Sequence, residues 1–203
     1  MRRIKQIISF LLIASGCLLL FLGAREFLDS RFGQSEAERE FQGSAPPEST
    51  KPGSLAPLEP GDTFAKLTIP RLGTELYVVE GDSPSELRRA PGHLAGSAQP
   101  GQRGNCIIAA HRDTHFRILK EIRPGDDIVL ETRQGKFLYR VRNTRVVAPD
   151  NTGPLQDGPK PQLSLVTCYP FYYVGSAPKR FVVEANLTGA LTAAEAMVAP
   201  PRS

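Results

Sequence analysis

Tryptophan is absent from this 203-residue chain, and cysteine and histidine occur only three times each. Basic residues are not massed either: the net charge is +4, and no Lys/Arg block lies beyond the N-terminus. That excludes a nucleic-acid-binding stripe; Arg88-Arg89 is an isolated pair that reads as a solvated face. Strands do not alternate with long helical patterns and no segment repeats, so a parallel βαβ architecture is excluded. Acidic residues, Asp150 and Asp157 among them, form no metal-binding spacing, and Asp126-Asp127 after Pro124-Gly125 reads as a turn into a strand.

Long apolar runs are scarce too, with one exception. Residues 7–24 are eighteen in a row without a charge, preceded by Arg2, Arg3 and Lys5 and closed by Arg25-Glu26. This is close to the roughly 20 residues that cross a bilayer core of about 30 Å. The reading is an uncleaved anchor over 7–24, with residues 1–6 cytoplasmic and 25–203 outside, because cations stay on the cytoplasmic side. A cleaved signal fits less well, since Leu22-Gly23-Ala24 has no small residue three before the cut. A lipoprotein box ending at Cys17 fits less well again, because residues 18–22 stay apolar.

Residues 25–61 read as a flexible extracytoplasmic linker, with a few helical turns within 26–40 and Pro-, Ser- and Gly-rich sequence beyond. Residues 188–203 read as a tail. The folded unit is therefore 62–187. Within it, short β patterns recur over 64–69, 75–79, 106–110, 127–132, 136–147, 163–168 and 180–185, separated by Gly and Pro. Helical pattern is confined to pieces near 84–90 and 114–120. The fold class is all-β, a barrel or sandwich.

Cys168 ends one of these strands and Arg180 opens the next. A thiol becomes a strong nucleophile as a thiolate, beside an imidazole or a cation. Two readings of Cys168 stand: a disulfide with Cys106, the other cysteine outside the apolar run, or a free thiol kept for chemistry. Three histidines could serve it. His111 stands at a strand end after Ile107-Ile108-Ala109-Ala110, His93 lies in a loop, and His115 lies in a helical turn. His111-Arg112-Asp113 also matches the protein-kinase catalytic tripeptide, but no Gly-rich phosphate loop or Asp-Phe-Gly accompanies it.

Read together and in order, "GNCIIAAHRDTHF", "GDDIVLET", "SLVTCYPF" and "KRFVVEA" resemble a sortase, a membrane-anchored cysteine transpeptidase, and most resemble the class D group. His111 precedes Cys168 by 57 residues, and Arg180 follows it by 12, spacings that suit the family. Ser164 replaces the first threonine of the family's Thr-Leu-x-Thr-Cys motif, keeping a hydroxyl, and Ala110 replaces the glycine before the histidine.

The resemblance implies an eight-stranded β-barrel with His111, Cys168 and Arg180 catalytic, and His93 and His115 outside the catalytic set. It implies partners: surface proteins with a C-terminal, LPXTG-like sorting signal, and an amine acceptor such as a cell-envelope precursor. No cofactor is implied; some sortases bind calcium, but no spacing here indicates a site. Asp113 and Thr167 are candidate orienting residues, and Cys106 is a strand-core residue whose offset of five from His111 sends the two side chains to opposite faces. The absence of a tryptophan or Asp-Pro-Phe lid favours anchoring of single proteins over pilin polymerisation. A hydrolase that trims peptides, and an inactive binding barrel, are the alternatives.

Overall fold

The structure is a computed structural model that describes residues 2–43, 58–173 and 175–192, the side chains of 2, 4, 5, 7–9, 22–31, 191 and 192 excepted. Eight strands close into a barrel in the order β1-β2-β3-β4-β7-β8-β6-β5. They are β1 Thr63–Ile69, β2 Thr74–Glu80, β3 Gly92–His93, β4 Gly104–Ala109, β5 Asp127–Thr132, β6 Gly135–Val147, β7 Pro161–Tyr169 and β8 Lys179–Thr192. Closure removes the open sheet edges that would otherwise need covering. Two contacts are parallel, β2 with β3 and β4 with β7; the others are antiparallel.

Strand alternation fills the interior. Leu67, Ile69, Val78, Ile108, Ile128, Leu130, Tyr139, Leu163, Leu165 and Val183 have lost essentially all solvent contact within one cluster. Burial of each such side chain contributes about 1.5–3 kcal/mol. Tyr139 brings a hydroxyl into this core, where it accepts the Gly101 N–H at 2.8 Å, so the ring is buried without an orphan oxygen. Gly101 has φ +81°, and a Cβ there would meet the Phe137 ring at 2.2 Å. Only glycine fits that approach.

Two regions differ from the sequence reading. The single helix α1, Arg2–Gly43, runs well into the segment expected as a flexible linker, and residues 33–41 dock on the barrel. Gly33, Ala37 and Phe41 recur every fourth position and so share one face. Gly33 lies so close to Arg89 that a Cβ would stand 2.5 Å from its carbonyl oxygen, while Ala37 and Phe41 pack with Tyr77, Val79 and Ala90. Gln34 then pairs with β2 as a neighbouring strand would: its Nε2 donates to Tyr77 O at 2.9 Å and its Oε1 accepts from Tyr77 N at 2.8 Å. That satisfies backbone of β2 which the two-residue β3 leaves open, since along β2 it reaches only Val79 and Glu80. Glu40 completes the dock through the Thr63 N–H and hydroxyl.

At the other end, β8 continues to Thr192 beside Gly135 of β6, so residues 188–192 are barrel strand where a tail was expected. The rest of the expected tail, 193–203, and the linker segment 44–57 lie outside the described residues. No helix among the described residues is long and apolar enough to cross a membrane. The short helical pieces fall where the pattern placed them, as α2, Pro84–Arg89, and a 3-10 turn over His115–Glu121. Ser83 and Glu86 form a reciprocal capping box that starts α2.

Candidate active site

Inward packing of Leu163 and Leu165 on β7, and of Val183 and Ala185 on β8, fixes which residues face outward. Cys168 and Arg180 are direct cross-strand partners and fall on the outward face, while Thr167 and Phe181 fall on the inward one. Cys168 is half-buried, as is Arg180. β4 lies parallel to β7 with Ala109 opposite Val166. The Ala110 N–H extends that pairing to Val166 O at 3.1 Å, so the register continued past Ala109 sets His111 level with Cys168.

Thr167 works from beneath. Its hydroxyl donates to Ala110 O at 2.7 Å, the carbonyl of the peptide bond that leads into His111. The His111 carbonyl in turn accepts the Phe116 N–H at 3.1 Å, which folds the following segment into its 3-10 turn. That turn is anchored by Arg71, whose Nη2 reaches Glu121 O at 2.6 Å and Asp126 Oδ2 at 2.7 Å. The Arg71 guanidinium holds the Asp126 carboxyl below the usual carboxylate range, against the opposing effect of burial. Asp113 is exposed and forms no hydrogen bond or ion pair among the described residues.

The two remaining histidines have other partners. His93 is 1% exposed, with Nδ1 2.8 Å from Glu80 Oε2, Nε2 2.9 Å from Ser97 Oγ, and its ring stacked 4.0 Å from Phe64. It lies opposite Ile108, three residues short of His111 along β4. His115 is buried within the 3-10 turn, its Nδ1 3.4 Å from the Thr114 hydroxyl.

All three cysteines are free. Cys106 is fully buried in the barrel interior, opposite Leu163 in register, and burial pushes its thiol pKa far up. Cys168 is five residues further along β7 than Leu163 and on the other face, so the alternative of a Cys106–Cys168 disulfide is geometrically closed. Among the described residues, Cys168 is the cysteine whose register partner is an arginine, with His111 level on the neighbouring strand.

A feature that sequence reasoning missed borders the site. The loop 170–178 joins β7 to β8, beginning just after Cys168 and ending just before Arg180. Arg112 Nη2 donates to two of its carbonyls, Tyr173 O at 2.9 Å and Gly175 O at 3.0 Å, and the guanidinium carbon stands 5.8 Å from the Tyr173 ring centre. Lys120 Nζ donates to the Tyr172 hydroxyl at 3.1 Å, and Arg117 lies 5.5 Å from that ring. These cations, Lys120 foremost, lower the Tyr172 phenol pKa. Arg180 Nη1 donates to Ala177 O at 3.4 Å and Lys179 O at 3.0 Å at the loop's far end. Among the described residues no group of three or more His, Cys, Asp or Glu side chains could hold a metal ion.

A cysteine and an arginine paired in register across a barrel ladder, with a histidine level at the next strand, accompany a clear family match: the Sortase domain family covers residues 67–188. The chain belongs to the sortase family. It is 32% identical over 192 residues to Sortase D of Bacillus subtilis (strain 168), covering 88% of this chain and 96% of that one. The structure of a Sortase D5 transpeptidase from Clostridium perfringens superposes with a TM-score of 0.65 at 25% identity, covering 79% of this chain and 99% of that one. Sortase E1 from Streptomyces coelicolor, solved with a tripeptide in the active site, matches at 0.59 and 28% identity over 71% of this chain and 98% of its own. Sortases are cysteine transpeptidases that anchor surface proteins, and this sortase is an enzyme of that kind, most like the class D members.

Proposed function

We propose that this sortase cleaves a C-terminal, LPXTG-like sorting signal through a Cys168 thioester and transfers the acyl group to an amine of the cell envelope. The observation that carries this reading is the Cys168–Arg180 pair on the outward face, with His111 level beside it. The Cys168 thiolate attacks the scissile carbonyl while Arg180 donates hydrogen bonds to the developing oxyanion or to the peptide backbone. Collapse breaks the C–N bond; the His111 imidazolium gives its proton to the departing amine and a thioester remains. In the second half, the incoming amine attacks the thioester, neutral His111 takes the amine's proton, and the amide product leaves with Cys168 restored as thiolate.

The reading includes location. Residues 7–24 anchor the chain in the bacterial membrane with residues 1–6 inside and 25–203 outside, supported by the uncharged run and the Arg2, Arg3 and Lys5 flank. The side chains of 7–9 and 22–31 lie outside the described residues, so this part rests on the sequence.

Mass analysis of products after incubation with a sorting-signal peptide library and several amines tests the reaction. A peptide–amine conjugate is expected. Hydrolysed peptide alone in the presence of every amine would make the enzyme a peptide-trimming hydrolase, and no cleavage would overturn the reading.

A further inference from the structure

The loop 170–178 carries two exposed tyrosines beside the site, Tyr172 at 69% and Tyr173 at 48% exposure. Rings so exposed gain little from burial, so what holds them is polar. All of the cations involved come from the segment that follows His111: Arg112 on the Tyr173 and Gly175 carbonyls, Lys120 on the Tyr172 hydroxyl, and Arg117 over the Tyr172 ring. Arg112 makes both backbone bonds with Nη2 alone, while its Nη1 is buried without a partner. Arg112's part of the fastening therefore depends on a single nitrogen.

We propose that Arg112 is a positioning residue for peptide binding: it fastens the 170–178 loop to the segment after His111, setting the wall of the groove against which the substrate peptide lies. This rests on reading Cys168, His111 and Arg180 as the sortase site. The β7–β8 ladder holds the backbone of Cys168 and Arg180, and the Ala110 N–H on Val166 O holds the approach to His111; Arg180 also reaches the loop through Ala177 O, at the end away from the Arg112 contacts. The loop bridges the nucleophile strand and the arginine strand, so its position decides how well a peptide is held there and leaves the chemical step unchanged. Releasing it enlarges the set of loop conformations from which substrate must select one, which weakens binding. Lys120 and Arg117 reinforce the fastening through the neighbouring tyrosine.

The test compares the full-length wild type with Arg112→Met, which keeps the apolar stem and removes the donors, and with Lys120→Met. Limited chymotrypsin digestion under native conditions reads the loop directly, because its cleavage sites include Tyr172 and Tyr173. Cutting at these residues is expected to quicken about tenfold in Arg112→Met and by less in Lys120→Met, with thermal midpoints unchanged. On one sorting-signal peptide, Arg112→Met is expected to raise KM about tenfold with kcat within about threefold of wild type. An unchanged chymotryptic rate in Arg112→Met overturns the proposal whether or not the peptide is turned over. A fall in kcat at unchanged KM overturns it as well, since it places Arg112 in the chemical step. A wild type that turns over no peptide, yet shows the faster loop cleavage on substitution, counts against the sortase reaction and leaves the fastening standing.

Discussion

Cys168 and Arg180 face each other directly across β7 and β8, on the side of the ladder turned away from the barrel core. A slip of one residue would put Thr167 and Phe181 in their place and bury the thiol and the guanidinium, because side chains alternate with period two. Core packing by Leu163, Leu165, Val183 and Ala185 thus also determines the chemistry available at the surface.

Arg180→Lys keeps the charge but loses the planar fork of donors that can hold an oxyanion and a backbone carbonyl together. Loss of one oxyanion donor costs about 2.7–4 kcal/mol, so kcat/KM is expected to fall by about 10²–10³. Steady-state rates on one peptide, with circular dichroism as the folding control, check this. Near-normal turnover would reduce Arg180 to an electrostatic anchor.

Thr167→Val preserves shape and removes the hydroxyl that donates to Ala110 O at 2.7 Å. The carbonyl left without this donor should cost about 1–3 kcal/mol of stability. Because the same peptide bond leads into His111, kcat should also drop, by about tenfold, as the imidazole is held less closely. Thermal melts and kcat on the same preparation measure both effects. A destabilised variant with wild-type kcat would confine Thr167 to the fold.

Asp126 makes stability depend on acid. Its carboxyl pKa is lowered in the folded chain, chiefly by the Arg71 hydrogen bond. Such a group contributes its full stabilisation above the unfolded value of about 3.9 and loses it as pH falls through the lower folded value. Denaturant midpoints are therefore expected to fall as pH drops below about 4, more steeply in wild type than in Asp126→Asn, and the variant to be the less stable protein at neutral pH. Parallel curves for the two proteins would show that the Arg71–Asp126 contact is not coupled to folding.

The strands that position the site were legible because they alternate strictly or end at clear turn signals; the pattern over 127–132 is β5 to the residue. His111, Cys168 and Arg180 stood out because cysteine and histidine are scarce and because each sits at a strand end. What escaped had weak local signals. β3 is two residues long, too short for any periodicity, and it carries His93, whose burial against Glu80, Ser97 and Phe64 depends on distant chain segments. The docked part of α1 lies at the edge of sequence that composition marks as linker; the signal present was the spacing of Gly33, Ala37 and Phe41. Arg112 was hidden by its place in a tripeptide that matches kinases, and its role is visible only once the loop carrying Tyr172 and Tyr173 is folded against it.

The central claim is that Cys168 is the nucleophile, and intact-protein mass spectrometry after brief mixing with a sorting-signal peptide tests it most directly. The expected result is one added acyl mass, mapped to Cys168 after digestion, abolished in Cys168→Ala and retained in Cys106→Ala, whose thiol is buried in the barrel interior. An acyl mass on Cys106, or continued cleavage by a folded Cys168→Ala, would contradict it.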